Sequence, residues 1–152
     1  MSARPAPVSE QQVQEDLLRL DAYRNQLNAL LQQHQILSAS RQDHLRARES
    51  LVGVDSAPAG AELLLPLGGE TFVRGSIERG SPVLVGVGSG IVVEMERPKV
   101  VELVAERIVR IEQALRDLEG QMTSLDERIQ SLSQRLDTIA RENGVPTDVG
   151  SD

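Results

Sequence analysis

VELVAERIVRIEQALRDLEGQMTSLDERIQSLSQRLDTI, residues 101–139, decides the fold of this chain. Alternating steps of three and four residues from Val101 reach Val104, Ile108, Ile111, Leu115, Leu118, Met122, Leu125, Ile129, Leu132, Leu136 and Ile139, and every stop is apolar. A mean spacing of 3.5 held over this distance is the seam of a coiled coil, narrower than the stripe of a globular helix. The opposite row, Glu106, Gln113, Gly120, Glu127, Gln134 and Arg141, contains no apolar side chain beyond glycine. Such a helix needs a partner for its seam. The same alternation through Leu20, Tyr23, Leu27, Leu30, His34 and Leu37 supplies one within the chain.

Working outward, the first helix is expected over 9–52. Ser9 stands as its N-cap with Gln12 three residues on, and Val8 and Val13 take the flanking staple positions. Gly53 is the expected stop. After Leu37 the stepping meets Arg41, His44 and Arg48 before Leu51, so this stretch is expected to pack less well, with Leu45 and Ala47 beside the stripe as partial compensation. His34 and His44, ten residues apart, point in different helical directions and form no metal pair.

Between the helices, residues 53–97 change pattern. A loop, GVDSAPAGAE, leads into short β-type runs, LLLPL, TFVRGSI, PVLVGV and IVVEM, separated by Gly68-Gly69, by Arg79-Gly80-Ser81 and by Gly88-Ser89-Gly90. These are two consecutive hairpins. Two-stranded ribbons are marginal alone, and Pro66 and Pro82 cannot donate to a ladder, so the β segment must bury itself against something else. The glycines of GVGSG at 86–90 lack the spacing of a dinucleotide loop, whose sixth position would here be Ile91.

The second helix is expected over 98–143, opening at Pro98 and closing at Asn143-Gly144 with Pro146 beyond. Near its start Val100, Leu103 and Val109 widen the apolar surface and are expected to dock on the hairpins. Gly120 sits on the outward row as a weak point or a bend. Both helices run to about 44 residues, roughly 65 Å. Equal lengths around a compact centre predict a mainly α fold, a long antiparallel coiled-coil hairpin with two central β-hairpins. Residue numbers summing to about 152 then set Leu20 near Leu132, Leu27 near Leu125 and Leu51 near Val101. Residues 1–8 and 144–152 are expected to be a disordered lead and tail.

Composition narrows the function. The chain has 152 residues, one tyrosine, one phenylalanine and no tryptophan, too few aromatics for a thick globular interior. A net charge of -7 repels phosphate backbones, which argues against nucleic acid. With no cysteine there is neither a disulfide framework nor a thiolate metal site. No signal peptide or spanning run is apparent, so the expectation is a cytoplasmic protein without a membrane partner. No nucleophile, base and orienting group can be assembled, so no catalytic residue, metal ligand or cofactor is expected and the chain is not read as an enzyme. Val8, Val13, Leu17, Leu18, Leu132, Leu136, Ile139 and Val145 gather at the free end of the coil, more than two helices can cover, and accessible apolar surface marks binding sites.

ELLLPLGGETFVRGSIE at 62–78, PVLVGVGSGIVVEME at 82–96 and the following VVELVAERIVRIEQAL together resemble prefoldin, in its two-hairpin, archaeal alpha-type class. The likeness covers about Val8 to Gly144, and the β segment is its specific part. It implies a heterohexamer of two alpha and four beta subunits whose hairpins join as an oligomeric β-barrel body. It further implies coiled-coil tips that hold unfolded polypeptides and deliver them to a group II chaperonin without ATP. On that basis the tip residues above are the client-binding candidates, and Phe72, Val73, Ile77, Val83, Val85, Ile91 and Val93 are the barrel and subunit contacts. A structural tether using the coil as a spacer, with no affinity for unfolded chains, is the alternative.

Overall fold

The computed structural model describes residues 9–143, so Val8, Val145 and the expected disordered ends lie outside the described residues. The order of elements is α1 (Glu10–Ser56), β1 (Glu62–Gly68), β2 (Thr71–Ser76), β3 (Val83–Gly88), β4 (Ile91–Met95) and α2 (Arg97–Glu142). The fold is two long antiparallel helices with two β-hairpins between them.

α1 begins where its cap dictates. The Gln12 amide donates to Ser9 Oγ at 3.3 Å, satisfying one of the first turn's orphan donors, and the Val13 amide donates to the Ser9 carbonyl at 3.2 Å as the first bond of the helix. The expected stop at Gly53 is corrected: the helix runs through it to Ser56. Three interactions reward the extra turn. Val54 is half-buried, Asp55 binds Arg97, and Ser56 Oγ donates back to the Val52 carbonyl at 2.8 Å. The stop comes instead from Pro58, which disfavours helical backbone at Ala57.

The chain divides into two units, one formed by residues up to Ile36 with those from Leu115 onward, the other by Leu37–Ala114. In the first unit the helix segments pair along the seam. Leu20, Leu115, Leu118, Leu125 and Ile139 are buried, while Tyr23, Leu27, Leu30, Met122 and Ile129 are half-buried. Burying a leucine contributes about 1.5–3 kcal/mol, so a one-layer seam is stabilised by many partial contributions rather than by a few sealed residues. Asp16–Arg135 and His34–Glu119 cross between the helices, each within one residue of the expected antiparallel register.

In the second unit, Val85 of β3 packs with Val100, Val104 and Ile108 of α2, and Leu45, Leu51, Val83, Met95 and Leu103 close around them. Val101, Ile111 and Leu37 are half-buried along the same helices. Leu45 alone fills the weak stretch of α1, because Ala47 is exposed. Val109, expected to dock on the hairpins, is 61% exposed and points away from the cluster. Arg41 and His44 are half-buried at seam positions, and His44 Nδ1–H donates to the Ser40 carbonyl at 2.7 Å.

The two hairpins are separate two-stranded antiparallel sheets, β1–β2 and β3–β4. They share one design. Gly68 pairs with Thr71 and Gly88 with Ile91, leaving the two-residue loops Gly69-Glu70 and Ser89-Gly90, all four with positive φ. That is the primed turn whose twist matches right-handed strands. A register shift precedes each loop. GVGSG is thus the second hairpin's turn.

Candidate functional site

Strand alternation decides which hairpin faces remain available. In the second hairpin Val83, Val85, Val93 and Met95 share the inner face and are buried or half-buried. The outer face carries Leu84 and Val92, 69% and 59% exposed. The first hairpin has no covered face. Leu64, Pro66 and Phe72 lie on one side, Leu63, Leu65 and Val73 on the other, and all are exposed. At Gly75 an added Cβ would come within 3.1 Å of Leu65 Cδ1, so the glycine lets that leucine lie flat across the ribbon. The Arg74–Glu62 ion pair at 3.7 Å spans the first of these sides. Every strand of both hairpins also has an unpaired edge.

The expected interface residues therefore separate. Phe72, Val73 and Ile91 are exposed, and Ile77 is half-buried at the wall of a cavity. Val85 is only 7% exposed and belongs to the chain's own core, with Val83 packed against it, while Val93 is half-buried on the same face. Leu63, Leu64, Leu65, Leu67, Leu84 and Val92 are exposed apolar side chains that sequence reasoning did not single out. The missing signal was phase: β-type runs show that one face is apolar, and only the docking partner shows which face is spent.

The cavity beside Ile77, about 850 Å³, opens between α1, α2 and the second hairpin; Leu51, Val83 and Val100 line it, with Arg97 and Arg107 among its polar walls. Arg107 donates to the Gly86 carbonyl at 2.8 Å and Arg97 to that of Glu78 at 3.0 Å, so both guanidiniums hold backbone in place. Among the described residues no group of three or more His, Asp or Glu is placed to hold a metal ion, and no helix is long and apolar enough to cross a membrane.

In the paired-helix unit the expected tip residues also divide. Leu17 and Leu18 are 50% and 67% exposed, Val13, Leu132 and Leu136 are half-buried, and Ile139 is buried in the seam. Val8 and Val145 fall outside the described residues. Asp16, absent from the sequence reading, is 5% exposed at a seam position, four residues before Leu20. Stepping backward along the seam would have found it.

Antiparallel paired helices whose connecting hairpins expose apolar faces and open edges define an assembly-forming coiled-coil subunit. The family model described as prefoldin subunit matches residues 23–142. The prefoldin alpha subunit of Archaeoglobus fulgidus is 30% identical over 128 residues, covering 84% of this chain and 90% of that one. That of Methanocorpusculum labreanum is 26% identical, covering 86% and 88%. Among solved structures, filamentous PFD from Methanocaldococcus jannaschii superposes with a TM-score of 0.65 at 23% identity, over 76% of this chain and 95% of that one. The chain belongs to the prefoldin family, as an alpha-type subunit. That is a family of chaperone subunits rather than enzymes.

Proposed function

We propose that the chain is the alpha-type subunit of a cytoplasmic, ATP-independent holdase, assembled as two alpha with four beta-type subunits, that holds unfolded polypeptides and passes them to a group II chaperonin. The observation that carries the assembly is the first hairpin, whose two apolar faces are both uncovered within the chain. An isolated two-stranded ribbon of this kind is marginal in water, whereas further strands on its edges and faces would bury it. Leu63, Leu64, Leu65, Phe72, Leu84 and Val92 are the contacts with beta-type neighbours. Exposed Leu17 and Leu18, with half-buried Val13, Leu132 and Leu136 beside them, are the client contacts.

Mixing the purified chain with a beta-type subunit and measuring the native mass tests the assembly; the expected species contains two copies of this chain and four of the partner. That complex should suppress aggregation of a denatured model protein without nucleotide, and the double substitution Leu17→Asp, Leu18→Asp should weaken the suppression while preserving the mass. Transfer is read by adding a group II chaperonin and following release of the held protein. An intact complex that leaves aggregation unchanged would sink the holdase reading and favour a structural tether.

A further inference from the structure

We propose that the Arg19–Arg128–Arg135 groove of the paired-helix unit is a subsite for acidic segments of unfolded polypeptide, in which a carboxylate side chain neighbours an apolar one. The groove holds about 340 Å³; Tyr23 and Leu132, both half-buried, provide its apolar surface, and one carboxylate, Glu127, also lines it. Three guanidiniums against two carboxylates, Glu127 and the Asp16 beneath the groove, leave it with a net positive charge on a chain of net charge -7.

Two of the three are held in place from below. Buried Asp16 forms ion pairs with both, Arg135 Nε lying 3.4 Å from Oδ2 and Arg19 Nη1 3.8 Å from Oδ1, so the charge of one carboxylate in the seam draws in arginines from both helices without a hydrogen bond to either. Each arginine engages it through one nitrogen and stays more than half exposed, 54% for Arg135 and 56% for Arg19, leaving donors directed elsewhere. Arg128 is exposed and belongs to no ion pair among the described residues. Planar guanidiniums beside an apolar surface match a carboxylate followed by a hydrophobic side chain. Charge complementarity thus adds selectivity to apolar contact, whose energy is indifferent to charge. The proposal rests on the holdase reading and names the class of segment that this part of the molecule prefers.

The test uses the full chain assembled with its beta-type partner and three fluorescent peptides of equal length: alternating Asp and Leu, the same peptide with Asn for Asp, and the same with Lys for Asp. The Asp peptide is expected to bind tightest and the Lys peptide weakest, with the order compressed by salt. Arg128→Gln, at an unpaired exposed position, should reduce the Asp-over-Asn preference by about threefold, and Arg19→Gln with Arg128→Gln by about tenfold. Arg110→Gln, on the other unit, should leave the preference unaltered. Equal binding of Asp and Asn peptides, or a preference that survives both variants, overturns the subsite while the holdase reading stands. Failure of all three peptides to bind, together with unsuppressed aggregation, overturns both. Displacement of the Asp peptide by a single-stranded oligonucleotide at lower concentration than by unlabelled peptide would also overturn it, in favour of phosphate.

Discussion

Arg97 Nη1 donates to Asp55 Oδ1 at 3.1 Å, joining the first residue of α2 to the last turn of α1. Its Nη2 donates to the Glu78 carbonyl at 3.0 Å, so one guanidinium ties both helix ends to the link between hairpins. The arginine is 14% exposed and the aspartate 49%. Replacing Arg97 with Met should cost about 1–3 kcal/mol, because a largely buried guanidinium loses both of its hydrogen bonds, although Ser81 still donates to the Glu78 carbonyl. Asp55→Asn keeps an acceptor and should cost less than about 1 kcal/mol. Urea melts of the two variants check the order, and amide exchange at residues 78–81 should accelerate only in the first.

Ile108 and Val109 are adjacent in sequence and opposite in consequence. Ile108 is 4% exposed within the cluster beneath the second hairpin, whereas Val109 is 61% exposed. Truncating Ile108 to Ala should cost about 2–4 kcal/mol through lost transfer energy and an unfilled cavity. Val109→Ala should fall within about 0.5 kcal/mol of the parent. Paired denaturant melts decide the matter, and equal losses would show that the cluster is assigned to the wrong face of α2.

Gly120 lies on the solvent side of α2, with nothing within 4 Å of the Cβ it lacks. Its φ is not positive, so alanine fits the existing helix. Gly120→Ala should therefore raise stability by about 0.5–1 kcal/mol, chiefly by restricting the unfolded chain. Thermal melting of the isolated chain measures the gain. If the melting point fell, the glycine would be serving as a bend after all.

The helices were legible because heptad spacing is a one-dimensional property: Val101 through Ile139 carry their seam whatever they meet, and Ser9 with Gln12 carries its own cap. The turns were legible for the same reason, since positive φ at Gly69 and Gly90 is a local demand. What depended on a partner was not. Gly53 reads as a stop, yet Asp55 finds Arg97 beyond it. Val85 and Leu84 are equally apolar neighbours, and only the position of α2 makes the first core and the second surface. Asp16 reads as a solvated helix charge until Arg135 is placed against it from the other helix.

Leu64 and Phe72 lie on the same uncovered side of the first hairpin, 65% and 57% exposed, and this separates assembly from folding. Because neither side chain is buried within the chain, Leu64→Asp with Phe72→Asp should change the isolated chain's stability by only about 0.5 kcal/mol per site. In the assembled complex the same charges would enter a desolvated sheet interface in which the neighbouring Arg74 is already paired with Glu62, at several kcal/mol each. The expected outcome is an unchanged helical spectrum and melting curve for the chain alone, and no co-eluting complex with the beta-type subunit. Val85→Asp provides the contrast: it buries a carboxylate inside the chain's own cluster and should cost about 3 kcal/mol or more before any partner is added. A double variant that still assembled at full mass would place the subunit contacts elsewhere, on the outer face of the second hairpin around Leu84 and Val92.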